Sequence, residues 1–323
     1  MNHYKQLTEE ERYQIKVLLD MGYQQKDIAE YLGRDPSTIY RELKRNTGLR
    51  GYRPKQAQQL AIDRRTRATK HRKLTPQVKD WIESLLKLDL SPEQISGYLK
   101  QTKGVSLSHE TIYRYIYADQ TQGGHLYLRL RLIPKGYRKR YGSYQQRGQL
   151  IDRVSIDERP AIVEARRRIG DWEGDTIIGK GRKSALLTLV ERKSLYTVMV
   201  KLSSRNALEL ADKLTAAMKT LKRKITTITF DNGKEFAEHK TISKKLNADV
   251  YFAHPYSSWE RGTNENTNGL IRQYFPKGTD FNTITEQDVK LVMDRLNTRP
   301  RKTRNYKTPI ELFMGQRVDL LVA

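Results

Sequence analysis

The chain has 323 residues, enough for two or three domains, and 61 Lys and Arg residues against 37 Asp and Glu residues give a formal charge of +24. Hydrophobic residues make up 37% of the composition, and no stretch reaches the roughly 18 consecutive apolar residues of a membrane span, so we expect a folded protein that is neither membrane-spanning nor secreted. The absence of cysteine excludes disulfides, thiolate nucleophiles and cysteine-bound zinc, and it fits a reducing compartment.

The positive charge is spread over both halves of the chain and is not confined to one tail. Each Lys or Arg that neutralises a polyphosphate releases counterions, whereas an ordinary solvated surface does not need such an imbalance. We find no basic amphipathic helix with an aromatic apolar face, which argues against an anionic membrane as the partner. Composition therefore favours nucleic acid.

Residues 1–48 have the pattern of a helix-turn-helix domain. Thr8 stands at a capping position that predicts the start of a first helix, and a short second helix stops at Gly33. Asp35 and Pro36 then begin a third helix, which in this motif enters the major groove of DNA. The outward-facing residues of the third helix, which we predict to contact DNA, are Ser37, Thr38, Tyr40, Arg41 and Lys44.

Residues 75–120 repeat this plan, with a longer turn before the last helix. The Thr-Ile-Tyr-Arg sequence of residues 38–41 recurs at residues 111–114, and proline again follows a capping residue at two helix starts. We therefore predict a second helix-turn-helix domain, in which Thr111 and Arg114 contact DNA. A pair of three-helix bundles that bind protein, or no partner at all, is the alternative interpretation.

Two segments near these domains are strongly basic. We predict that residues 49–74 form a basic linker and that residues 121–165 form a linker of interleaved basic and aromatic side chains. In the second linker, Arg138 and Arg140 are predicted to follow the phosphates of DNA. An ordinary solvated charge run explains the same composition.

Residues 166–300 change to short runs of β-branched and aromatic residues bounded by Gly, Ser or charge, which is typical of strands. The predicted order is three strands, a helix, a strand, a helix, a strand and a helix. This is the order of an α/β ribonuclease H-like domain. Residues 301–323 are predicted to form a C-terminal basic loop and a short helix.

Acidic residues lie at three points of this predicted domain: in the first strand, directly after the fourth strand, and in the last helix. Two-metal phosphoryl transfer needs carboxylates that converge from separate elements, because Mg²⁺ takes oxygen ligands. Alternation puts Asp171, Glu173 and Asp175 on one face of the first strand, so spacing alone does not show which of them binds metal. A solvated sheet edge is the alternative explanation for Asp171 and Glu173.

The sequences GDWEGDTIIG at 170–179, TFDNGKEF at 229–236 and WERGTNENTNG at 259–269 resemble the DDE transposases of the bacterial insertion-sequence-thirty family. The sequences LTEEER at 7–12 and TIYREL at 38–43 extend the resemblance over nearly the whole chain. It implies an α+β multidomain protein, in which N-terminal all-α helix-turn-helix domains precede a ribonuclease H-like, retroviral-integrase-like catalytic domain.

By the same resemblance, the catalytic and metal-binding residues are Asp175, Asp231 and Glu265, with 55 residues between the first two and 33 between the last two. The implied activity is that of a transposase that binds terminal inverted repeats, cleaves them to free 3′ hydroxyls and joins these to target DNA. It would use two Mg²⁺ ions, for which Mn²⁺ can substitute, and no nucleotide cofactor. It would act on double-stranded DNA in the bacterial cytoplasm, at the nucleoid. Two element ends must be cut and joined together, so we expect a homodimer or a higher oligomer on DNA.

Helical spacing places Asn268 and Arg272 on the face that carries Glu265, and we predict that both contact DNA near the cleaved phosphate. As candidate metal ligands, Glu235 and Glu260 rank below the neighbouring acids Asp231 and Glu265. Residues 174–181 nearly match a phosphate-binding P-loop, but Gly181 stands where a hydroxyl is required, which excludes ATP or GTP. Two other functions are compatible with the sequence: a transposase-derived DNA-binding regulator, and a structure-selective nuclease without strand transfer.

Overall fold

The structure is a computed structural model that describes residues 6–68, 73–130, 150, 152–221, 225–255 and 257–321. The chain divides into two compact units, Met1–Arg72 and Lys73–Ala323. None of the described helices is long and apolar enough to cross a bilayer.

The first unit is a small helical domain around one apolar core. Its elements in chain order are α1 (Glu9–Asp20), α2 (Gln25–Tyr31), α3 (Pro36–Asn46), β1 (Thr47–Gly48), β2 (Gly51–Tyr52) and α4 (Pro54–Arg67). Thr8 caps α1 through a reciprocal capping box with Glu11, as its position in the sequence predicts. Ile15, Ile28 and Ile39 are fully buried and hold the first three helices together.

The segment predicted as the first basic linker contains the hairpin strand β2 and helix α4. Ala57 of α4 is fully buried in the apolar core, so the helix packs on the domain that precedes it. A buried ion pair joins α1 to α3, with Arg12 Nε 2.7 Å from Glu42 Oε1. The hydroxyl of Tyr52 donates to the same carboxylate, and burial raises the pKa of that phenol. Composition alone could not reveal this packing, because the other face of α4 is strongly basic.

The second helix-turn-helix domain opens the second unit. It comprises α5 (Pro76–Lys87), α6 (Pro92–Thr102) and α7 (His109–Thr121), whose starts are capped by Thr75, Ser91 and Ser108. Ile82, Ile95 and Ile112 lie in its core at zero exposure. The 3₁₀ turn Leu126–Arg129 lies in the predicted second linker, and its Leu126 and Tyr127 pack against this core.

The sheet domain, which forms the rest of the second unit, is a five-stranded sheet with helices on both faces. Its elements are α8 (Ala161–Glu164), β3 (Asp171–Ile178), β4 (Ala185–Glu191), β5 (Thr197–Leu202), α9 (Ala207–Lys219), β6 (Thr227–Phe230), α10 (His239–Leu246), β7 (Asp249–Phe252), α11 (Gly262–Ile271), α12 (Glu286–Asn297) and α13 (Pro309–Met314). The strand order is β5-β4-β3-β6-β7; β3, β4 and β5 are antiparallel, while β6 pairs parallel with both β3 and β7. The predicted element order is confirmed.

Two apolar cores sandwich this sheet. One contains Leu214 of α9, Ile242 of α10 and Phe313 of α13, and the other contains Ile271 of α11 and Leu296 of α12. The ring of Phe313 stacks on Tyr196 with centroids 4.4 Å apart, so the predicted C-terminal helix is packed into the sheet domain.

The second helix-turn-helix domain is docked on the sheet domain within this unit. Tyr274, just after α11, donates its hydroxyl to Asp89 at 3.1 Å, and Tyr98 of α6 donates to Asp319 at 3.0 Å. A Cβ atom on Gly97 would lie 2.2 Å from the ring of Tyr306, so glycine is required for this approach. The second helix-turn-helix domain therefore has a fixed position relative to the sheet.

Candidate active site

Two of the predicted catalytic acids lie side by side because of strand register. The parallel strands β3 and β6 pair Glu173 with Thr229, and Asp175 and Asp231 each follow that pair by two residues. Gly174 allows the close approach, since a Cβ atom there would lie 2.3 Å from the ring of Phe230. The sheet thus brings together carboxylates that are far apart in the sequence.

One guanidinium bridges these two carboxylates. Arg261 lies at the end of the 3₁₀ turn Ser258–Arg261, and its side chain is only 11% exposed. Its Nη1 lies 3.7 Å from Asp175 Oδ1, and its Nη2 lies 3.6 Å from Asp231 Oδ2. Nη1 also donates to the carbonyl oxygen of Gly174 at 3.1 Å. Arg261 is not among the predicted site residues, although it lies in the sequence WERGTNENTNG, because no local pattern shows that it faces two acids.

Helix α11 is hydrogen-bonded to β3, the strand that carries Asp175. The side-chain amide of Asn268 donates to Asp175 Oδ2 at 2.8 Å, while its oxygen accepts from the hydroxyl of Thr188. One turn earlier, the buried Asn264 donates its backbone N–H to Glu173 Oε2 at 2.9 Å. The amide of Asn268 thus orients a predicted metal ligand, and its predicted contact with DNA stays a prediction.

Glu265 lies on the same helix, three residues before Asn268, and its side chain is exposed. Residues three apart share a helix face, so Glu265 is placed one turn from the residue that binds Asp175. Among the described residues, however, no three acidic or histidine side chains are grouped closely enough to hold a metal ion. The structure brings Asp175 and Asp231 together and places Glu265 on the adjoining helix.

The pocket around the Asp pair disfavours negative charge. Burial, with smaller contributions from the charges of Asp231 and Glu235, raises the pKa of Asp175 to about 6, even though Arg261 acts in the opposite direction. Glu235, which ranked low in the sequence, is buried beside the pair, where it accepts from the hydroxyl of Thr176 at 2.8 Å and pairs with Arg205. A site of this kind favours a cation.

The other acids of β3 are buried and paired, which rules out a solvated sheet edge. Asp171 accepts two hydrogen bonds of 2.9 Å from Arg168, and Glu173 lies 3.1 Å from Nη1 of Arg192. Both carboxylates are at most 1% exposed. Breaking either pair would leave an unpaired buried charge, so both pairs stabilise the folded sheet.

Arg272 lies at the end of α11, where it binds backbone rather than an open surface. Its guanidinium donates to the carbonyl oxygens of Ile178 at 3.1 Å and of Pro276 at 3.2 Å. Burial lowers the pKa of this side chain. The arrangement ties the end of α11 to the end of β3, and the predicted contact of Arg272 with DNA stays a prediction.

The predicted DNA-contacting residues of the first helix-turn-helix domain line one side of α3. Ser37, Tyr40, Arg41 and Lys44 are exposed and Thr38 is partly buried. The ammonium of Lys44 lies 5.5 Å from the centre of the Tyr40 ring. A cavity of about 340 Å³ lies beside α3, and its basic lining residues are Arg12, Arg41, Arg45, Arg64 and Arg65. The surface of this domain therefore matches an anionic partner in charge.

In the second helix-turn-helix domain, Arg114 is exposed on α7, and Thr111 is partly buried with its hydroxyl 3.0 Å from that of Ser108. Arg138 and Arg140 lie outside the described residues. These four assignments stay predictions.

The sequence matches three protein families along its length. They are a helix-turn-helix domain over residues 3–46, a homeodomain-like domain over residues 38–116 and an integrase core domain over residues 165–258. The catalytic core domain of BIV integrase is a similar solved structure, with a TM-score of 0.37 and 19% identity over 45% of this chain and 94% of that chain.

Curated relatives are similar over almost the full chain. The transposase for insertion sequence element IS4351 of Bacteroides fragilis is 48% identical, with 96% of this chain and 95% of that protein covered. The transposase InsI for insertion sequence element IS30A of Escherichia coli K12 is 38% identical, with 95% and 83% covered. Together with the sheet topology, these matches confirm the predicted fold class, with helix-turn-helix domains followed by an integrase-type α/β domain. The chain belongs to the insertion-sequence-thirty (IS30) family of transposases.

Proposed function

We propose that the chain is a metal-dependent DNA transposase that binds the terminal inverted repeats of its insertion sequence, cleaves them and joins the 3′ ends to target DNA. The observation that carries this proposal is the convergence of Asp175 and Asp231 on one guanidinium at neighbouring parallel strands. Glu265 of α11 is the third proposed catalytic carboxylate.

The donor set fits a hard divalent cation. Carboxylate oxygens from separate elements are the ligands that Mg²⁺ prefers, and Mn²⁺ accepts the same ligands. Asp175 and Asp231 would hold the metal with Glu265, and the buried pocket that raises the pKa of Asp175 would favour the added positive charge. When bound, a pair of such ions supplies an activated attacking oxygen and stabilises the leaving oxygen.

The remaining residues of the site fix the carboxylates. The backbone N–H of Thr176 donates to Asp175 Oδ1 at 2.9 Å, and that of Gly233 donates to Asp231 Oδ1 at 3.0 Å. Asn268 holds the second oxygen of Asp175. Such bonds limit carboxylate rotation before the substrate arrives, which lowers the cost of reorganisation during the reaction.

DNA recognition is assigned to the two helix-turn-helix domains. Their third helices, α3 and α7, present exposed basic side chains, including Arg41 and Arg114. Two element ends must be cut and joined together, so we expect a homodimer or a higher oligomer on DNA, acting at the nucleoid of the bacterial cytoplasm.

The test is cleavage of a labelled terminal repeat by purified protein with and without Mg²⁺. We expect Asp231→Asn to abolish 3′-end cleavage and to leave end binding within about twofold, because the substitution removes one metal-binding charge but no DNA-reading residue. Asp212→Asn, an exposed acid on α9, is the matched control and should cleave normally. Persistent cleavage by Asp231→Asn would refute the assignment.

The same assay separates the two other functions that fit the sequence. End binding by the wild-type protein without Mg²⁺-dependent cleavage would indicate a regulator. Cleavage without a joined product on a target plasmid would indicate a nuclease.

A further inference from the structure

Arg261 is held beside the two aspartates by one hydrogen bond and two longer ion-pair contacts. Its distances of 3.7 and 3.6 Å to Asp175 and Asp231 are ion-pair distances, too long for direct hydrogen bonds. Its bond to the carbonyl oxygen of Gly174 is 3.1 Å, and its Nε is buried without a hydrogen-bond partner among the described residues. Burying a donor without a partner is unfavourable, so this placement of Arg261 depends on the charge of the Asp pair.

Arg261 supplies positive charge at the place where a bound metal ion would supply it. Two neighbouring, partly buried carboxylates repel each other unless a cation lies between them. Arg205 is paired with Glu235, so Arg261 is the cation within 4 Å of both aspartates in the described part of the chain. A divalent ion bound to the same oxygens would repel the guanidinium at close range.

The backbone around Arg261 is better anchored than its side chain. The preceding residue, Glu260, accepts hydrogen bonds of 2.8 Å from both the backbone N–H and the Nδ1 position of His254. His254 in turn lies 2.9 Å from Asp157 through Nε2. On the other side, α11 is tied to the sheet by Asn264. These hydrogen bonds restrain the backbone on both sides of Arg261, and none of them involves its side chain.

We propose that Arg261 is a positioning residue that takes the place of the metal between Asp175 and Asp231, and that a divalent ion must displace it. The proposal rests on the proposed function, because it takes the two aspartates as metal ligands. Arg261 holds the carboxylates together before metal binds and competes with the metal for them. Once displaced, its planar guanidinium is suited to bind a DNA phosphate through two hydrogen bonds. Metal binding and DNA binding then strengthen each other.

The direct test measures Mn²⁺ binding to the full chain without DNA, by electron paramagnetic resonance of free Mn²⁺. We expect Arg261→Gln to bind Mn²⁺ about tenfold more tightly than the wild type, a change within the usual range of coupling between two ligands. Arg261→Lys keeps the positive charge but lacks the planar guanidinium, so its Mn²⁺ affinity should lie between those of the wild type and Arg261→Gln. Arg167→Gln removes one exposed charge elsewhere in the same unit and should match the wild type.

A second readout uses thermal unfolding. In EDTA, Arg261→Gln should have a lower Tm than the wild type, because the two aspartates lose their counter-charge, and Mg²⁺ should raise its Tm more than it raises that of the wild type. Adding Asp231→Asn to Arg261→Gln should abolish the gain in Mn²⁺ affinity.

The outcomes separate this inference from the proposed function. Equal or weaker Mn²⁺ binding by Arg261→Gln would overturn the competition while leaving the metal site in place. Failure of both the wild type and Arg261→Gln to bind Mn²⁺ would contradict the metal site and the competition together.

Discussion

The amide of Asn268 donates a 2.8 Å hydrogen bond to Oδ2 of Asp175 and thereby joins helix α11 to strand β3. The two residues are 93 positions apart, and the bond fixes one predicted catalytic acid relative to the helix that carries another. The geometry of the site therefore depends on a neutral side chain as well as on the acids.

Replacement of Asn268 by Ala should lower the rate of 3′-end cleavage by about 10- to 100-fold, the usual cost of losing a residue that orients a metal ligand. Asn268→Asp should be more damaging, because it places a negative charge against Asp175. Steady-state cleavage and end-binding affinity, measured on the same preparations, check this prediction. A loss of end binding equal to the loss of cleavage would instead support the predicted contact between Asn268 and DNA.

The raised pKa of Asp175 predicts a pH-dependent stability difference in metal-free protein. Its carboxyl ionises at a pKa of about 6 in the fold against an ordinary value of 3.8, so the ionised form destabilises the fold above pH 6. Asp175→Asn should therefore be more stable than the wild type at pH 7.5, by roughly 1–3 kcal/mol. The difference should shrink as the pH falls from 6 toward 4.

Urea unfolding in EDTA at several pH values measures this difference. A constant gap between the two proteins across the pH range would show that Asp175 ionises normally. Asp212→Asn, which replaces an exposed acid on α9, serves as the control.

Gly97→Ala should separate the second helix-turn-helix domain from the sheet domain. The added Cβ atom would overlap the ring of Tyr306, and overpacking of this kind costs about 1–3 kcal/mol. We expect faster hydrogen exchange in α6 and in the loop around Tyr306. The double variant Gly97→Ala with Tyr306→Gly removes the obstructing ring and should restore slow exchange. Unchanged exchange in Gly97→Ala would mean that the two surfaces are not in contact in solution.

Arg41→Ala should weaken binding of the first helix-turn-helix domain to DNA. If Arg41 contacts a phosphate, affinity should fall for all sequences, and the slope of log affinity against log salt should decrease by about 1. If it contacts a base edge, the loss should be specific to the terminal repeat. Fluorescence anisotropy with specific and scrambled duplexes distinguishes these outcomes, and Lys16→Ala, which removes an exposed cation of α1, is the control.

Features that depend on short-range chemistry were predictable from the sequence. The caps at Thr8 and Ser91 lie where their side chains can reach backbone N–H groups a turn away, so the helix starts follow from local spacing. The strands carrying Asp175 and preceding Asp231 follow from β-branched runs, and the resemblance selected these acids from their neighbours.

Features that depend on contacts between distant segments were not predictable. Arg261 faces two acids only after β3 and β6 have paired, and the buried partner of Glu173, Arg192, lies on a neighbouring turn of the sheet. Arg272 looked like an exposed cation because nothing local shows that its guanidinium meets backbone carbonyls. A single sequence records the residue types of such contacts but not which of them meet.

The bond between Tyr98 and Asp319 spans 221 positions, and the backbone N–H of Leu320 donates to the same tyrosine hydroxyl at 2.7 Å. The last described residues thus bind directly to helix α6 of the second helix-turn-helix domain. If a protease site were inserted within residues 131–149 and cut, the two fragments should stay together in a native gel and come apart only in detergent.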